Sequence, residues 1–212
     1  MVSFHTYVMA VDRVERLLRM VTAALDGAGV PYAVVGGNAV AAWVARADPS
    51  ATRSTKDVDV LVRRDTLARI DAAMSSVGLQ RIDLRRIVLY VDPAEPSKRS
   101  GVHLVWAEEL LRPSYTCPSP RVDESVIDPQ GFKVLDLPAL VRMKLTSFRD
   151  VDRVHVADLV GQLGSEPIDQ VGLIDARVRS ALPADLARRL TQIESSRDDG
   201  DELEGDAASP RP

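Results

Sequence analysis

The stretch VVGGNAVAA at residues 34–42 decides the expected fold, together with KDVDVLV at residues 56–62, which follows after a polar loop. In the first stretch an apolar run ends at a glycine pair, and an alanine-rich segment begins directly after it. This pattern predicts a short buried strand over 31–36 and a helix over 38–46. The second stretch predicts another strand, over 57–63. A strand, a tight turn, a helix and a second strand are the beginning of an α/β core.

The second strand carries two acidic residues, Asp57 and Asp59, separated by one valine. Because side chains alternate across a strand, both carboxylates should point to the same face. Two carboxylates on one face form a platform of hard oxygen ligands for Mg²⁺, which prefers such ligands together with substrate phosphates. Two like charges inside an apolar run are also costly unless a cation or a basic side chain compensates them. The pattern therefore favours metal binding over a pair that only faces water.

The glycine pair, Gly36 and Gly37, is followed by Asn38 at the predicted start of the helix. Glycines at such a turn let a phosphate approach the backbone and the positive end of the helix. A glycine pair alone is also typical of an ordinary tight joint between a strand and a helix. Read beside the two aspartates, the three residues predict a phosphate-plus-metal site.

The composition and net charge of the chain exclude few classes of binding partner. The chain has 212 residues, of which 45% are hydrophobic, enough for one packed core with a helical annex. The net charge of −4 and the pI of about 5.4 give no overall case for nucleic-acid binding. The segment from Arg197 onward, RDDGDELEGDAASPRP, holds most of the excess acid and lacks apolar periodicity, so we expect it to be disordered. The remainder is close to neutral, which leaves a local basic patch and a polyanionic partner open.

The expected location is the cytoplasm. The single cysteine, Cys117, lies in a proline-rich loop and cannot form an intrachain disulfide. No histidine lies near it in sequence, so its thiol is interpreted as incidental. We find neither a signal-peptide pattern nor an apolar run of the ~18 residues that a membrane span needs.

The remaining pattern predicts an α/β half followed by a helical half. The expected fold is α/β (α+β), with a small mixed sheet flanked by helices. The predicted divisions are a core over 1–135, a helical portion over 136–196 that completes the cleft, and an acidic tail over 197–212. The other predicted elements are helices over 11–28, 65–77, 138–149, 151–164, 168–181 and 184–195, and strands over 80–84, 86–91, 101–107 and 132–135, with a proline-rich connection over 112–130.

The combination of the glycine turn with RSTKDVD at residues 53–59 resembles the nucleotidyltransferase superfamily. In that superfamily Gly-Gly or Gly-Ser opens a helix. An h-D-h-D-h pattern, in which h is a hydrophobic residue, follows on the next strand. The R-x-T-x-D-h-D lead-in is similar to that of small bacterial members of the AbiEii/AbiGii toxin type. The resemblance covers roughly residues 30–160. It implies that the turn of Gly36, Gly37 and Asn38 holds a nucleoside triphosphate and that Arg53 contacts its phosphates.

The same resemblance implies that Asp57 and Asp59 bind the magnesium, two ions with the nucleotide bound. The implied reaction transfers a nucleoside monophosphate to an acceptor hydroxyl with release of pyrophosphate.

A second match lies in the helical half. Residues 140–159, LVRMKLTSFRDVDRVHVADL, resemble the "K … R-x-x-D … D-L" segment of that toxin group. The resemblance implies that Lys144 binds nucleotide phosphate and that Asp158 orients Lys144 or the acceptor. A lysine on an apolar helix face can also snorkel to solvent. Arg149, Asp150 and Asp152 are interpreted as a solvated face with i,i+3 ion pairs.

The third acid of many nucleotidyltransferases is replaced here. The strand predicted over 101–107 has His103 at the expected position. A neutral histidine can accept a proton or bind a metal, and a lone histidine on a strand is also often purely structural. Asp83 and Asp92 are nearby acids that could substitute, although nothing in the sequence orients them.

The acceptor is not readable from the sequence. The toxin-like resemblance implies a tRNA end or another RNA as acceptor and a cognate antitoxin as partner, whereas other branches modify a protein or a small antibiotic. The basic residues near the site in sequence fit either a tRNA groove or ordinary solvated surface: Arg81, Arg85, Arg86, Lys98 and Arg99. Two alternatives stay open: a catalytically impaired nucleotide- or partner-binding module, and an antitoxin that modifies a partner toxin.

Overall fold

The computed structural model describes residues 4–84, 87–97, 100–163 and 177–207. The chain divides into two compact units, Met1–Asp136 and Leu137–Pro212. Among the described residues, no helix is both long enough and apolar enough to cross a membrane.

The first unit is built on a mixed sheet of seven strands in the order β3-β4-β5-β2-β1-β7-β6. Strand β2 pairs antiparallel with β1 and parallel with β5, and β1 pairs parallel with β7. The predicted α/β fold with a mixed sheet flanked by helices is confirmed. The strands are β1 (Tyr32–Val35), β2 (Val58–Val62), β3 (Gln80–Leu84), β4 (Ile87–Val91), β5 (Val102–Trp106), β6 (Ser125–Ile127) and β7 (Lys133–Leu135). The helices are α1 (Phe4–Gly27), α2 (Gly36–Ala47) and α3 (Leu67–Ser76), with short 3-10 turns at Pro49–Ala51 and Arg64–Thr66.

The central strands carry the core of this unit. All four residues of β1 are buried, and β2 is buried at every position except Asp59. Strands covered on both faces read as nearly continuous apolar runs, which is why both were recognisable in the sequence. Helix α1 buries Val14, Leu18, Val21 and Leu25, which recur at helical spacing.

One strand is absent from the sequence prediction. Strand β6 lies inside the segment expected to be a proline-rich connection, 112–130, and pairs antiparallel with β7. A turn joins the two strands, closed by hydrogen bonds from the Gly131 amide to the Asp128 carbonyl and from the Asp128 amide to the Phe132 carbonyl, both 2.8 Å. A strand of three residues is too short to show an alternating pattern, so its pairing depends on this turn.

The second unit contains α4 (Leu137–Ser147), α5 (Asp150–Leu163) and α6 (Ala184–Ala207). Its apolar core includes Leu140, Leu145, Leu159 and Leu186, each at most 2% exposed. Arg189 on α6 donates to the carbonyl oxygens at the end of α4, 2.6 Å to Leu145 and 3.3 Å to Thr146. A cation at a helix C-terminus satisfies carbonyls that have no partner within the helix and also favours the helix dipole.

Helix α6 continues into the segment for which the sequence predicts disorder. It ends at Ala207. Leu186 and Leu190 in the first half of the helix are buried and anchor it. Because each residue added to an existing helix gains one backbone hydrogen bond, the helix can extend beyond this anchored part. Residues 208–212 of the expected tail, and residues 168–176 of another expected helix, lie outside the described residues. The domain boundaries stay a prediction.

Candidate active site

Three potential metal ligands meet at the centre of the sheet. Asp59 is the second residue of β2, Asp57 immediately precedes that strand, and the parallel pairing with β5 sets His103 opposite Asp59. His103 Nδ1 is 3.3 Å from Asp57 Oδ2 and 3.5 Å from Asp59 Oδ1. One donor atom from each residue lies within 4.8 Å of the other two. The side chains are between 23% and 32% exposed, so solvent reaches the cluster.

Gly36 makes the position of Asp59 possible. It lies at the turn between β1 and α2 with φ of +67°, in the left-handed region that favours glycine. A Cβ built at this residue would lie 2.0 Å from Asp59 Oδ2. The Asp59 carboxylate therefore sits against the turn itself, and any other residue at position 36 would displace it.

Gly37 has a similar function for Thr55. A Cβ at position 37 would lie 2.9 Å from Thr55 Oγ1. The Thr55 hydroxyl donates a hydrogen bond of 3.1 Å to Asp57 Oδ1. The second glycine thus leaves room for a hydroxyl that orients the Asp57 carboxylate.

The side chain of Asn38 is engaged with the backbone of the site. Its Nδ2 donates a hydrogen bond of 2.7 Å to the carbonyl oxygen of Asp57. This bond ties the first turn of α2 to the start of β2. The N-cap residue of α2, Val35, makes no side-chain capping bond, and the helix opens directly beside Asp59. Backbone amides of a helix N-terminus without a side-chain cap are suited to bind an anion.

The charge state of Asp57 suits a cation ligand. Its contact with His103 is the largest influence and holds the pKa of Asp57 below its usual range. Partial burial acts in the opposite direction, and the Thr55 hydrogen bond adds to the lowering of the pKa. A carboxylate must be ionised to ligate a metal, and Asp57 meets this condition at neutral pH.

The donor set fits a divalent cation. Two carboxylate oxygens and one imidazole nitrogen converge from different strand positions, and Gly36 leaves the close space in which Asp59 can join them. Asp57 and Asp59 are the oxygen ligands that Mg²⁺ prefers, while His103 adds a nitrogen ligand.

In the second unit, Lys144 belongs to a buried ion-pair cluster. Its Nζ lies 3.3 Å from Asp152 Oδ1, and the two side chains are 6% and 0% exposed. Asp152 also accepts hydrogen bonds from Ser147 Oγ at 2.7 Å and from Arg149 Nε at 2.6 Å. Lys144 is therefore buried beside a carboxylate, and the alternative of a lysine that snorkels to solvent is wrong.

The expectation that Asp152 lies on a solvated face is wrong as well. Asp152 forms the expected i,i+3 pair with Arg149, but it is fully buried. Asp158, which the resemblance assigns to orient Lys144, lies six residues further along α5, about 120° around the helix. Asp152, which the resemblance does not single out, is a carboxylate that contacts Lys144. The sequence signal for it is weak, because an acidic residue in the first turn of a helix normally faces solvent.

The basic residues predicted near the site are only partly described. Arg53 is exposed in the segment that leads to Asp57. Arg81 pairs with Asp71 at 2.9 Å and with Asp83 at 2.8 Å. Asp92, considered as a substitute acid, accepts a hydrogen bond from the Ala94 amide in a turn. The other four basic candidates, Arg85, Arg86, Lys98 and Arg99, lie outside the described residues.

Comparison with known proteins defines the fold class. No protein-family model matches the chain, and no curated protein matches it in sequence. The solution structure of the antibiotic-resistance factor ANT(2'')-Ia matches with a TM-score of 0.50 and 18% identity, covering 89% of this chain and 98% of that chain. The crystal structure of an antigenic nucleotidyltransferase-like protein from Paracoccidioides brasiliensis matches with a TM-score of 0.50 and 15% identity, covering 86% and 94%.

The chain thus has a nucleotidyltransferase-like fold. At 18% and 15% identity these likenesses concern the fold alone, and the superfamily and its AbiEii-type subgroup stay predictions.

Proposed function

We propose that this protein is a metal-dependent nucleotidyltransferase that transfers a nucleoside monophosphate from a nucleoside triphosphate to an acceptor hydroxyl. One observation carries the proposal: Asp59 is packed against Gly36 with Asp57 and His103 beside it, where α2 begins. A cation held by these three residues would lie next to the N-terminus of a helix. Such a pairing suits a metal-bound triphosphate.

The site residues divide the work of binding. Asp57 and Asp59 would hold the cation, with the carboxylate of Asp57 oriented by Thr55. The cation, when bound, would neutralise triphosphate charge and stabilise the entering and leaving oxygens. The backbone amides at Gly36, Gly37 and Asn38 would take phosphate oxygens at the start of α2. Arg53 would add a positive charge from the exposed segment before Asp57.

The chemical step is an in-line displacement. The acceptor oxygen forms a bond to the α-phosphorus, and the bond between that phosphorus and the oxygen bridging to the β-phosphate breaks, so pyrophosphate leaves. The acceptor hydroxyl loses its proton in this step. His103 would take that proton when its Nδ1 is free of a cation, and bulk water would take it when Nδ1 ligates one.

Two residues of the second unit remain in the proposal through the resemblance. Lys144 would neutralise phosphate charge, and Asp158 would orient Lys144 or the acceptor. An ammonium group held by the buried Asp152 is fixed in place, and such a fixed point charge loses little freedom on binding an anion.

We propose a chemical class for the acceptor molecule. The R-x-T-x-D-h-D lead-in supports an RNA acceptor, a tRNA end in particular, and with it the toxin role and a cognate antitoxin as partner. A structural neighbour is an antibiotic-resistance factor, which makes a small antibiotic the first alternative acceptor to test.

One observation favours a second candidate function. The position expected for a third acid holds His103, which contacts both aspartates. A protein that binds a metal and nucleotide without transfer would keep the fold and act as a nucleotide- or partner-binding module. An antitoxin that modifies a partner protein would retain transfer, but its expression would not arrest growth.

Label transfer from α-labelled nucleotides tests the proposal. Each of the four nucleoside triphosphates is supplied with Mg²⁺ or Mn²⁺ and offered total tRNA, other RNA, a cell extract and a panel of small hydroxyl-bearing antibiotics. We expect transfer with at least one acceptor and a loss of about 100-fold or more in Asp59→Asn. Asp123→Asn is the matched control because Asp123 is an exposed acid paired with Arg121. An Asp59→Asn variant that is folded and active would overturn the assignment, whereas nucleotide binding without transfer would favour the binding module.

A further inference from the structure

We infer that His103 is a metal ligand and that it shifts the preference of this site from Mg²⁺ toward a first-row transition cation, with Mn²⁺ as the probe. The inference rests on the proposed function for the location of the cation site, but not on the transfer of a nucleotide. It assigns to His103 the determination of metal specificity.

The first step is the direction of the imidazole. The parallel register between β2 and β5 pairs His103 with Asp59. The flanking residues Val102 and Leu104 are buried, with 0% and 6% of their surface exposed. Those two side chains anchor β5 on the opposite face, so His103 stays on the face of the aspartates. It is Nδ1 that lies near both carboxylates.

The second step is the spacing of the donor atoms. Charge-assisted hydrogen bonds between nitrogen and a carboxylate are about 2.7–2.9 Å long. His103 Nδ1 is further than this from both carboxylates, at 3.3 Å and 3.5 Å. Neighbouring donors on one cation are about 3 Å apart when the metal–ligand bonds are about 2.1 Å. Both nitrogen–oxygen distances are close to this donor spacing, and one donor atom from each of the three residues lies within 4.8 Å of the other two. A single cation could therefore contact all three residues.

The third step is the chemistry of the donors. Mg²⁺ selects oxygen ligands and retains its waters, so it gains little from an imidazole. First-row transition cations accept imidazole readily, and Mn²⁺ also accepts carboxylates and the oxygen of phosphates. A set of two carboxylates and one imidazole therefore favours Mn²⁺ over Mg²⁺, whereas three carboxylates would not.

The experiment is a titration of the full-length protein with Mn²⁺ alone, without nucleotide, followed by the electron paramagnetic resonance of free Mn²⁺ and by competition with Mg²⁺. We expect His103→Ala to weaken Mn²⁺ binding by about tenfold or more while Mg²⁺ binding changes far less. His103→Asp gives the site three carboxylates. The ratio of its Mn²⁺ affinity to its Mg²⁺ affinity should then fall by about tenfold. His5→Gln is the matched control, since it removes another of the three histidines and should bind as the unaltered protein does.

Two outcomes would overturn the inference. One is a folded His103→Ala variant, verified by circular dichroism, that binds Mn²⁺ as tightly as the unaltered protein. The other outcome is measured by nuclear magnetic resonance on protein that carries ¹⁵N-histidine and is titrated with diamagnetic Zn²⁺. Ligation should move the His103 Nδ1 resonance, assigned by its loss in His103→Ala, and an unmoved resonance at saturation contradicts a ligand role. Metal binding with these properties but without transfer from any nucleotide would instead refute the proposed function and leave the metal preference standing.

Discussion

Gly36 carries two constraints at once, and they can be separated experimentally. Its left-handed backbone favours glycine, and its missing Cβ leaves the space that Asp59 Oδ2 occupies. Gly29 has a similar φ of +61°, yet a Cβ there would meet no atom within 4 Å. A left-handed residue other than glycine costs about 1–2 kcal/mol, so both alanine variants should lose stability of this order. Only Gly36→Ala should also displace Asp59.

Mn²⁺ titration and thermal unfolding of Gly36→Ala and Gly29→Ala measure this difference. We expect both variants to lose stability, Gly36→Ala more so because its Cβ overlaps the Asp59 side chain. Only Gly36→Ala should lose metal affinity, by about tenfold or more. Unchanged metal affinity in Gly36→Ala would mean that Asp59 does not need its observed position to bind a cation.

Thr55 should act on the site through its hydroxyl. It donates to Asp57 Oδ1, and Gly37 leaves room for it. Thr55→Val keeps the shape but removes the hydrogen bond, whereas Thr55→Ser keeps the hydroxyl. Removing a partner that orients a metal ligand typically costs about 10–100-fold in affinity, so Thr55→Val should weaken Mn²⁺ binding by this amount. Equal binding by the valine and serine variants would assign Thr55 a packing role only.

At the scale of single residues, the cluster of Asp57, Asp59 and His103 was easier to expect from the sequence than the contacts that support it. Strand alternation puts Asp57 and Asp59 on one face, and the resemblance pointed to His103 on another strand. Their role as metal ligands stays a prediction. The function of Gly36 in seating Asp59, and the bond from Asn38 to the Asp57 backbone, depend on how β1, α2 and β2 pack. Such contacts connect residues about twenty positions apart, and no local pattern encodes them.

Among the elements, α4 and α5 are joined by Asp152, and acid should weaken that junction. Burial alone would raise the pKa of Asp152, but Arg149, Ser147 and Lys144 outweigh it and lower the pKa from 3.8 to about 2. A carboxylate with a depressed pKa stabilises the folded state above its unfolded pKa, and this contribution is lost as the pH falls toward the folded pKa. The contribution is about 2 kcal/mol, present above pH ~4 and lost toward pH ~2.

Urea unfolding followed by circular dichroism between pH 2 and pH 6 tests this junction. Asp152→Asn should lower stability at pH 6 by about 3–5 kcal/mol, because it removes a buried carboxylate that is paired with Lys144 and Arg149. The variant should also lose part of the decrease in stability between pH 4 and pH 2. Asp123→Asn, at an exposed ion pair, should change stability by less than about 1 kcal/mol. A parallel pH profile in Asp152→Asn and the unaltered protein would contradict the assignment.

The elements themselves were predictable where burial imposes a pattern. Strands β1 and β2 and helix α1 follow from apolar runs and apolar spacing. Strand β6 was missed because three residues in a proline-rich segment carry no period, and its pairing depends on the turn at Asp128–Gly131. The burial of Asp152 was not predicted because it depends on two partners outside its own helix. Lys144 lies in α4, and Arg149 lies in the turn that follows α4.

Over the whole molecule, the candidate metal ligands and Lys144 belong to different units, and this permits a test of the role of Lys144. Asp57, Asp59 and His103 lie in Met1–Asp136, whereas Lys144 lies in Leu137–Pro212. Binding slows hydrogen exchange wherever it stabilises the folded state. Mn²⁺ alone should therefore protect β2 and β5 and leave the peptide that contains Lys144 unchanged. Mn²⁺ with an α,β-methylene nucleoside triphosphate should protect that peptide as well, if Lys144 contacts the phosphates.

Hydrogen-exchange mass spectrometry of the full-length protein with these two additions measures both effects. Lys144→Gln should bind Mn²⁺ normally but lose the additional protection around position 144 and bind the nucleotide analogue about tenfold or more weakly. Arg153→Gln is the matched control because Arg153 is exposed and paired with Asp150 on α5. If the analogue protects β2 and β5 while the Lys144 peptide exchanges as before, Lys144 has a structural role that includes its buried pair with Asp152, and nucleotide binding is confined to the first unit.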